Sequence, residues 1–231
     1  MKTLVIIPAR GGSKSIPGKN IKMLGDYPLI VHTIKAALKS NKVDEIIVTT
    51  DSEEIIDVVE THCELQTYIL KRDGTDADDK TPVIPDVMNN TLKAFPYTSD
   101  FDIVLVLEPT YPFRNSLTID RVIKKIKESD SDYVVTISKS KEHPHRTRKV
   151  LGNRIEPFLN GVNVFAQRQD LPDSYVMRGA VYVAKINNVI NRKDIENMNW
   201  EGILISDKQA IDIDEPLDFI LAKGVIEYEN K

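Results

Sequence analysis

Leu4-Val5-Ile6-Ile7-Pro8-Ala9-Arg10-Gly11-Gly12-Ser13-Lys14, continued by Pro17-Gly18-Lys19-Asn20, is the stretch on which the fold turns. Its first four residues are an unbroken apolar run of β-favouring side chains, the pattern of a strand buried on both faces. A loop rich in Gly, Ser and Lys follows at once. Gly11 and Gly12 let the backbone turn tightly and approach a ligand closely. Exposed N–H groups in such a loop make an anion-binding concavity, and Arg10, Lys14 and Lys19 surround it with three cations. That composition suits a triphosphate, and by itself it also suits a solvated basic turn. Two other phosphate-binding patterns do not fit. A P-loop needs G-x-x-x-x-G-K-[ST]; the sixth position from Gly12 is Pro17, and Gly18-Lys19 is followed by Asn20, which has no hydroxyl for magnesium. Nor does Gly11-Gly12 supply the G-x-G-x-x-G of a dinucleotide site.

Outward from this loop, strand and helix patterns alternate. Leu29, Ile30, Thr33, Ile34, Ala37 and Leu38 predict a helix over residues 28–38, and Ile46-Ile47-Val48 a second buried strand. Asp51 or Ser52 is predicted to cap a helix through Val59, with Glu54 in its first turn. Tyr68-Ile69-Leu70 reads as a short strand, and residues 83–95 as a helix with Pro85 in the first turn. Ile103-Val104-Leu105-Val106-Leu107 is the clearest strand. Ser116 then caps a helix carrying Ile119, Val122, Ile123 and Ile126, and residues 133–137 form the next strand. Such alternation implies an α/β fold of three layers with a mostly parallel sheet, and ligands outside the carboxyl ends of the strands. Over residues 138–175 the rhythm breaks into prolines, basic residues and short apolar runs. We read a single domain over residues 1–231 with an inserted lobe at about 138–175, because Val181-Tyr182-Val183 and Ile203-Leu204-Ile205 resume strand-like runs. Pro216 fits the start of a helix over residues 215–228.

The 41% hydrophobic and 29% charged content is that of an ordinary globular protein. A formal net charge of -4 argues against nucleic acid as a partner, although a local basic cluster can still draw an anion. Cys63 stands alone, so no intrachain disulfide forms, and it reads as a buried, inert thiol. No apolar stretch reaches the ~18 residues of a spanning helix, and the run after Met1-Lys2-Thr3 is too short for a signal peptide. The expectation is a cytosolic protein with no membrane partner.

Ala210-Ile211-Asp212-Ile213-Asp214-Glu215-Pro216 supplies paired carboxylates. Asp at i and i+2 in extended chain points both side chains to one face, ready to hold Mg²⁺ between triphosphate oxygens. Taken alone, the same pair reads as a cap for the helix at Pro216. His143-Pro144-His145, with Arg146 and Arg148, lacks a third ligand and does not read as a transition-metal site. His32 and His62 fall within helical patterns.

Ile7-Pro8-Ala9-Arg10-Gly11-Gly12-Ser13-Lys14 followed by Lys19-Asn20 resembles the N-terminal signature of CMP-sialic acid synthetases (acylneuraminate cytidylyltransferases) and their CMP-Kdo synthetase relatives. The resemblance implies a nucleotidyltransferase fold of Rossmann-like type with a small dimerisation lobe. It implies that Arg10, Ser13 and Lys14, with Gly11 and Gly12, meet the CTP phosphates while Lys19 and Asn20 lie over the nucleotide. Arg10, Lys14 and Lys19 then carry the catalytic charge. Arg72 stands where the family has a nucleotide-contacting Arg, although Lys71-Arg72-Asp73-Gly74-Thr75-Asp76-Ala77-Asp78-Asp79 lacks the Pro and Glu of R-P-x-E-L-A-x-D. Leu107-Glu108-Pro109-Thr110-Tyr111-Pro112-Phe113-Arg114 resembles L-Q-P-T-S-P-L-R, with Glu108 in place of the Gln that helps hold the sugar. The run from Gln167-Arg168-Gln169-Asp170-Leu171-Pro172 through Tyr175 to Gly179-Ala180-Val181-Tyr182 resembles R-R-Q-D-x-P-x-x-Y-x-x-N-G-A-x-Y. It implies sugar contacts at Arg168 and Tyr175, with Gln169 shaping the lobe. Arg178, in place of Asn, is either a change of specificity or a surface replacement. Asp212 and Asp214 match the family's metal-binding D-x-D.

The implied reaction joins CTP and an acidic keto sugar into CMP-sugar and pyrophosphate, with Mg²⁺ as cofactor and a homodimer formed through the lobe. No side chain reads as the general base. A carboxylate at Glu108 only accepts hydrogen bonds, so the sugar expected is a sialic-acid relative with altered amide or amino substituents, N-acetylneuraminate coming next. The alternatives are another sugar nucleotidyltransferase, such as a CMP-Kdo synthetase, and a noncatalytic nucleotide-binding protein. The Asp pair together with Lys19 speaks against the second.

Overall fold

A computed structural model of the chain describes residues 1–63, 67–72, 82–161, 163, 165–190 and 197–229. The apolar run becomes β1 (Thr3–Pro8). A short hairpin, β2 (Met23–Leu24) and β3 (Tyr27–Pro28), leads into α1 (Leu29–Leu38), followed by β4 (Glu45–Thr50), α2 (Glu53–Cys63) and β5 (Tyr68–Lys71). Next come α3 (Met88–Ala94), β6 (Ile103–Val106), α4 (Ser116–Glu128) and β7 (Tyr133–Lys139). A second hairpin, β8 (Arg148–Leu151) and β9 (Arg154–Pro157), precedes β10 (Tyr175–Lys185), α5 (Ile186–Ile190), β11 (Trp200–Leu204) and α6 (Pro216–Glu229).

Seven strands form one sheet in the order β11-β7-β10-β6-β1-β4-β5. All neighbours pair in parallel except β10, which runs antiparallel to both β6 and β7. Alternation along β1 explains its central place: Val5 and Ile7 pack with Ile30, Ile34, Val59 and Ile123 on one face. Leu4 and Ile6 pack with Met88, Leu92 and Val189 on the other. Helices therefore cover both faces, giving three layers. Truncating one of these buried side chains to Ala would cost ~2–5 kcal/mol. Cys63 is buried, and burial pushes its thiol up to about 11, which leaves it protonated and unreactive at neutral pH.

Two local expectations are corrected and a third is narrowed. Asn115, not Ser116, caps α4: its side-chain oxygen accepts the Thr118 N–H at 2.9 Å, and Ser116 becomes the first helical residue. Residues 83–95 are not one helix. Ile84 sits at φ -120, ψ 122, because a residue before proline is pushed out of the α region, and regular helix begins at Met88. Of the two caps expected for α2, Ser52 is the one used, accepting the Ile55 N–H at 3.4 Å.

Between β7 and β10 the chain leaves the main sheet, and among the described residues β8 and β9 pair only with each other. Val150, Ile155 and Phe158 on this hairpin are 70%, 69% and 61% exposed. Of the apolar run expected here, Val162 and Val164 lie outside the described residues, and Phe165 is exposed. No helix among the described residues is long and apolar enough to cross a membrane.

Candidate active site

Loops at the carboxyl ends of β1, β5 and β6 meet the segment before α6 around a cavity of about 260 Å³. Pro8, Arg10, Ser13, Lys19, Asn20, Arg72, Glu108, Pro109, Thr110, Asp212 and Asp214 line it. Residues from four separate stretches of sequence thus share one wall. The first loop is held from behind. Asn20 is buried, and its Nδ2 donates to the Arg10 carbonyl at 3.0 Å. The Gly11 N–H donates to Asp51 Oδ1 at 2.9 Å, so it is spent on the scaffold and not offered to an anion as expected. A Cβ at Gly11 would come within 2.8 Å of Ser52 Cβ, so the close approach to α2 requires glycine. Gly12 and Lys14 are exposed and do not line the cavity.

Alternation in extended chain sends Ile213 into a core cluster with Ile16, Leu24, Leu29 and Phe219, while Asp212 and Asp214 turn to the cavity. The Ile213 N–H donates to the Thr110 carbonyl at 2.9 Å, stitching this segment to the end of β6. Lys19 Nζ donates to the Ile213 carbonyl at 2.8 Å and to Asp214 Oδ1 at 3.1 Å. The Thr110 and Tyr111 hydroxyls donate to the Asp212 carboxylate, yet its Oδ1 is buried with no partner. Burial raises the Asp212 pKa despite those two hydroxyls. Tyr111 is pushed up as well, by burial and then by the Asp212 charge.

Glu108 continues β6 into the cavity. Its carboxylate lies directly over Gly179, where a Cβ would collide with Oε2. Room for it comes from a bulge in β10: Arg178 pairs with Thr136 and Tyr182 with Val135, leaving residues 179–181 out of register. Thr136 Oγ1 fills that gap, donating to the Arg178 carbonyl at 2.6 Å and accepting the Val181 N–H at 3.0 Å. Burial first, then the Asp212 charge, raises Glu108 to about 7. The expectation of an acceptor-only carboxylate is therefore corrected, because near neutrality a protonated fraction presents one donor and one acceptor, as an amide does.

The other residues expected on the sugar side do not join this cavity. Arg178 is half-buried, with Nε donating to Ser138 Oγ at 2.8 Å. It lines a second cavity of about 190 Å³ with Lys139, Lys141, Asp207 and Asp218. Asp212 lines both cavities and so stands between them. Tyr175 opens β10 and is exposed; Gln169 is exposed and bonded to Gln167. The Arg168 main chain lies in a short 3-10 turn, and its side chain lies outside what the structure describes. His143 Nε2 is 2.9 Å from the Pro172 carbonyl and its ring meets His145 edge-on. No group of three or more His, Cys, Asp or Glu that could hold a metal occurs among the described residues.

The family profile described as cytidylyltransferase matches residues 4–192. The chain belongs to the cytidylyltransferase family. It is 34% identical to the CMP-N,N'-diacetyllegionaminic acid synthase of Legionella pneumophila, over 98% of this chain and 97% of that protein. It is 28% identical to the N-acylneuraminate cytidylyltransferase of Escherichia coli, over the whole of this chain and 53% of that one. In fold it is similar to a CMP:2-keto-3-deoxy-manno-octonic acid synthetase complexed with CTP, with a TM-score of 0.72 at 15% identity, covering 99% and 100% of the two chains. The family and the α/β nucleotidyltransferase fold expected from the sequence are both borne out.

Within this cytidylyltransferase, sequence reasoning missed Thr110, Tyr111 and Gly179 as parts of the site, and Arg114 behind it. Tyr111 and Gly179 were visible only as motif letters. The signal that marks Gly179 is a Gly-Ala pair opening an otherwise β-branched run. Arg114 is signalled by a single cation among the apolar and proline residues that follow β6.

Proposed function

We propose that this cytidylyltransferase transfers CMP from CTP to the anomeric hydroxyl of a sialic-acid-type keto sugar, with release of pyrophosphate. The observation that carries the reading is the meeting of Arg10, Ser13 and Lys19 with Asp212 and Asp214 on one cavity wall. The printed activities of the Legionella pneumophila and Escherichia coli relatives support the choice of sugar class. Arg10 and Lys19 face the triphosphate and stabilise the charge that builds on the departing pyrophosphate. Arg72, on the same wall, contacts the nucleotide. Asn20 acts through Arg10, whose carbonyl it holds.

Asp212 and Asp214 would hold Mg²⁺. The buried, unpartnered Asp212 Oδ1 fits such an ion, and two carboxylates leave the other positions for phosphate oxygens and water, as Mg²⁺ prefers. Bound there, the ion would neutralise triphosphate charge during displacement at the α-phosphorus. Arg178 and Lys141 of the second cavity suit the sugar's carboxylate, a guanidinium matching it through paired donors. Glu108, Gln169, Tyr175 and Arg168 complete the sugar side. A second copy of the chain covers the exposed apolar residues of the β8–β9 hairpin, giving a homodimer.

Pyrophosphate release from CTP, measured with legionaminate, N-acetylneuraminate, pseudaminate and Kdo as acceptors, tests the proposal. Release with the first three sugars supports it. Release with Kdo alone, or with none, sinks it. A competition between N-acetylneuraminate and legionaminate, repeated in Glu108→Gln, reads whether Glu108 selects the sugar: an unmoved ratio removes it from selection.

A further inference from the structure

We propose that Arg114 is the positioning residue of the acceptor side, fixing Glu108 and the β10 bulge as one unit. The last paired residues of β6 and β10 are Val106 and Tyr182. Beyond them the bulge takes β10 out of register, and a single contact, Glu108 N–H to the Gly179 carbonyl at 3.4 Å, joins the two strands. The carbonyls of Glu108 and Ala180 thus face each other without a ladder. A backbone carbonyl left unpaired in the interior is costly.

The Arg114 guanidinium occupies that gap. Nη1 donates to the Ala180 carbonyl at 2.7 Å and to the Glu108 carbonyl at 3.2 Å. Nη2 donates to the Glu108 carbonyl at 2.8 Å and to Thr33 Oγ1, on α1, at 2.8 Å. Arg114 is 3% exposed, and a cation so deep is retained only where its donors are needed. A planar fork reaches three acceptors on three elements at once, which an ammonium point charge does less well. Burial lowers Arg114 to about 9, so it stays charged at neutral pH.

The consequence is one-sided. Glu108 and the Gly179–Ala180 stretch depend on Arg114, which holds the Glu108 and Ala180 carbonyls. Arg10, Ser13 and Lys19 are held instead by Asn20, Asp51 and the Ile213 carbonyl. Loss of Arg114 therefore acts on the acceptor and spares the nucleotide. The inference rests on the proposed reading of Glu108 as a sugar-side residue.

The test compares Arg114→Met, Arg114→Lys and Thr33→Val, each checked for fold by circular dichroism. Arg114→Met should lower kcat/KM for the sugar by about tenfold or more, with KM for CTP within about twofold of the parent. Arg114→Lys should recover part of the loss, and Thr33→Val should show the same split more weakly. Equal losses for both substrates, unchanged kinetics, or a Lys variant no better than Met would overturn the proposal. If Arg114→Met does not fold, Thr33→Val alone decides, and an even loss across the two substrates counts against. Hydrogen exchange at the 179–182 amides needs no substrate. If the parent uses no keto sugar, the proposed function fails on its own; faster exchange there in Arg114→Lys still supports the positioning role, and parent-like exchange overturns it.

Discussion

Around Arg10, Lys19 and Asp214 the cavity is tied to the fold, with Asn20 on Arg10, Gly11 on Asp51, Lys19 on Ile213 and Asp214, and Ile213 on Thr110. On the lobe, β8 and β9 have no buried residue and present Val150, Ile155 and Phe158 to solvent. The chemistry common to any cytidylyl transfer is built into a packed scaffold. The lobe hairpin, which pairs with nothing in the main sheet, has little support of its own. A rigid half preorganises charge, whereas an unsupported half needs a further surface, and the experiments below press on that contrast.

The largest effect belongs to the rigid half. Chelation should abolish turnover, and Asp212→Asn should raise the Mg²⁺ concentration needed for half-maximal rate; turnover that survives chelator removes the metal. Next, Lys19→Ala should lower kcat/KM by roughly a hundredfold, since it loses both a cation and the tether to Ile213, and Arg10→Ala by about tenfold. Steady-state kinetics on folded variants checks both, and parent-like rates would take either residue out of the site. In the unsupported half, Ile155→Asp should turn a dimer into a monomer by light scattering at micromolar concentration while the main sheet stays folded. A monomeric parent would break the contrast outright.

The smallest effect is on stability. Glu108 is raised from the ordinary 4.5 to about 7, so the folded state favours its protonated form. Its contribution is fully present below pH 4.5 and is lost as pH rises through about 7, amounting to at most about 3 kcal/mol. Urea unfolding of the metal-free protein at pH 5 and pH 8 should show this loss, and Glu108→Gln should flatten it. An equal slope in both proteins would show that Glu108 is not the group responsible.

How much of this was legible depended on whether the physics is local. β1 and its loop could be read because burial on both faces, the glycines and the cations are contiguous. The Asp212–Asp214 pair could be read because a two-residue period survives without knowledge of partners. The direction of the Gly11 N–H could not, since its acceptor, Asp51, lies 40 residues away. Glu108 looked like a plain carboxylate because the burial that raises it comes from a bulge seventy residues further on. Asn115 was passed over for Ser116 because both are good caps, and only the extended backbone at 115 separates them. The antiparallel course of β10 has no local signature at all, since alternation of strand and helix implies parallel neighbours.

The contact between Lys19 Nζ and the Ile213 carbonyl spans 194 residues. During synthesis at roughly 5–20 residues per second, the phosphate loop emerges about 10–40 s before the segment that anchors its lysine. Until then Lys19 lacks the Ile213 carbonyl and the Asp214 carboxylate that aim it. A nascent chain stalled before residue 212 would carry a nearly complete sheet and no assembled site, so the competence of this enzyme arrives late and in a single step.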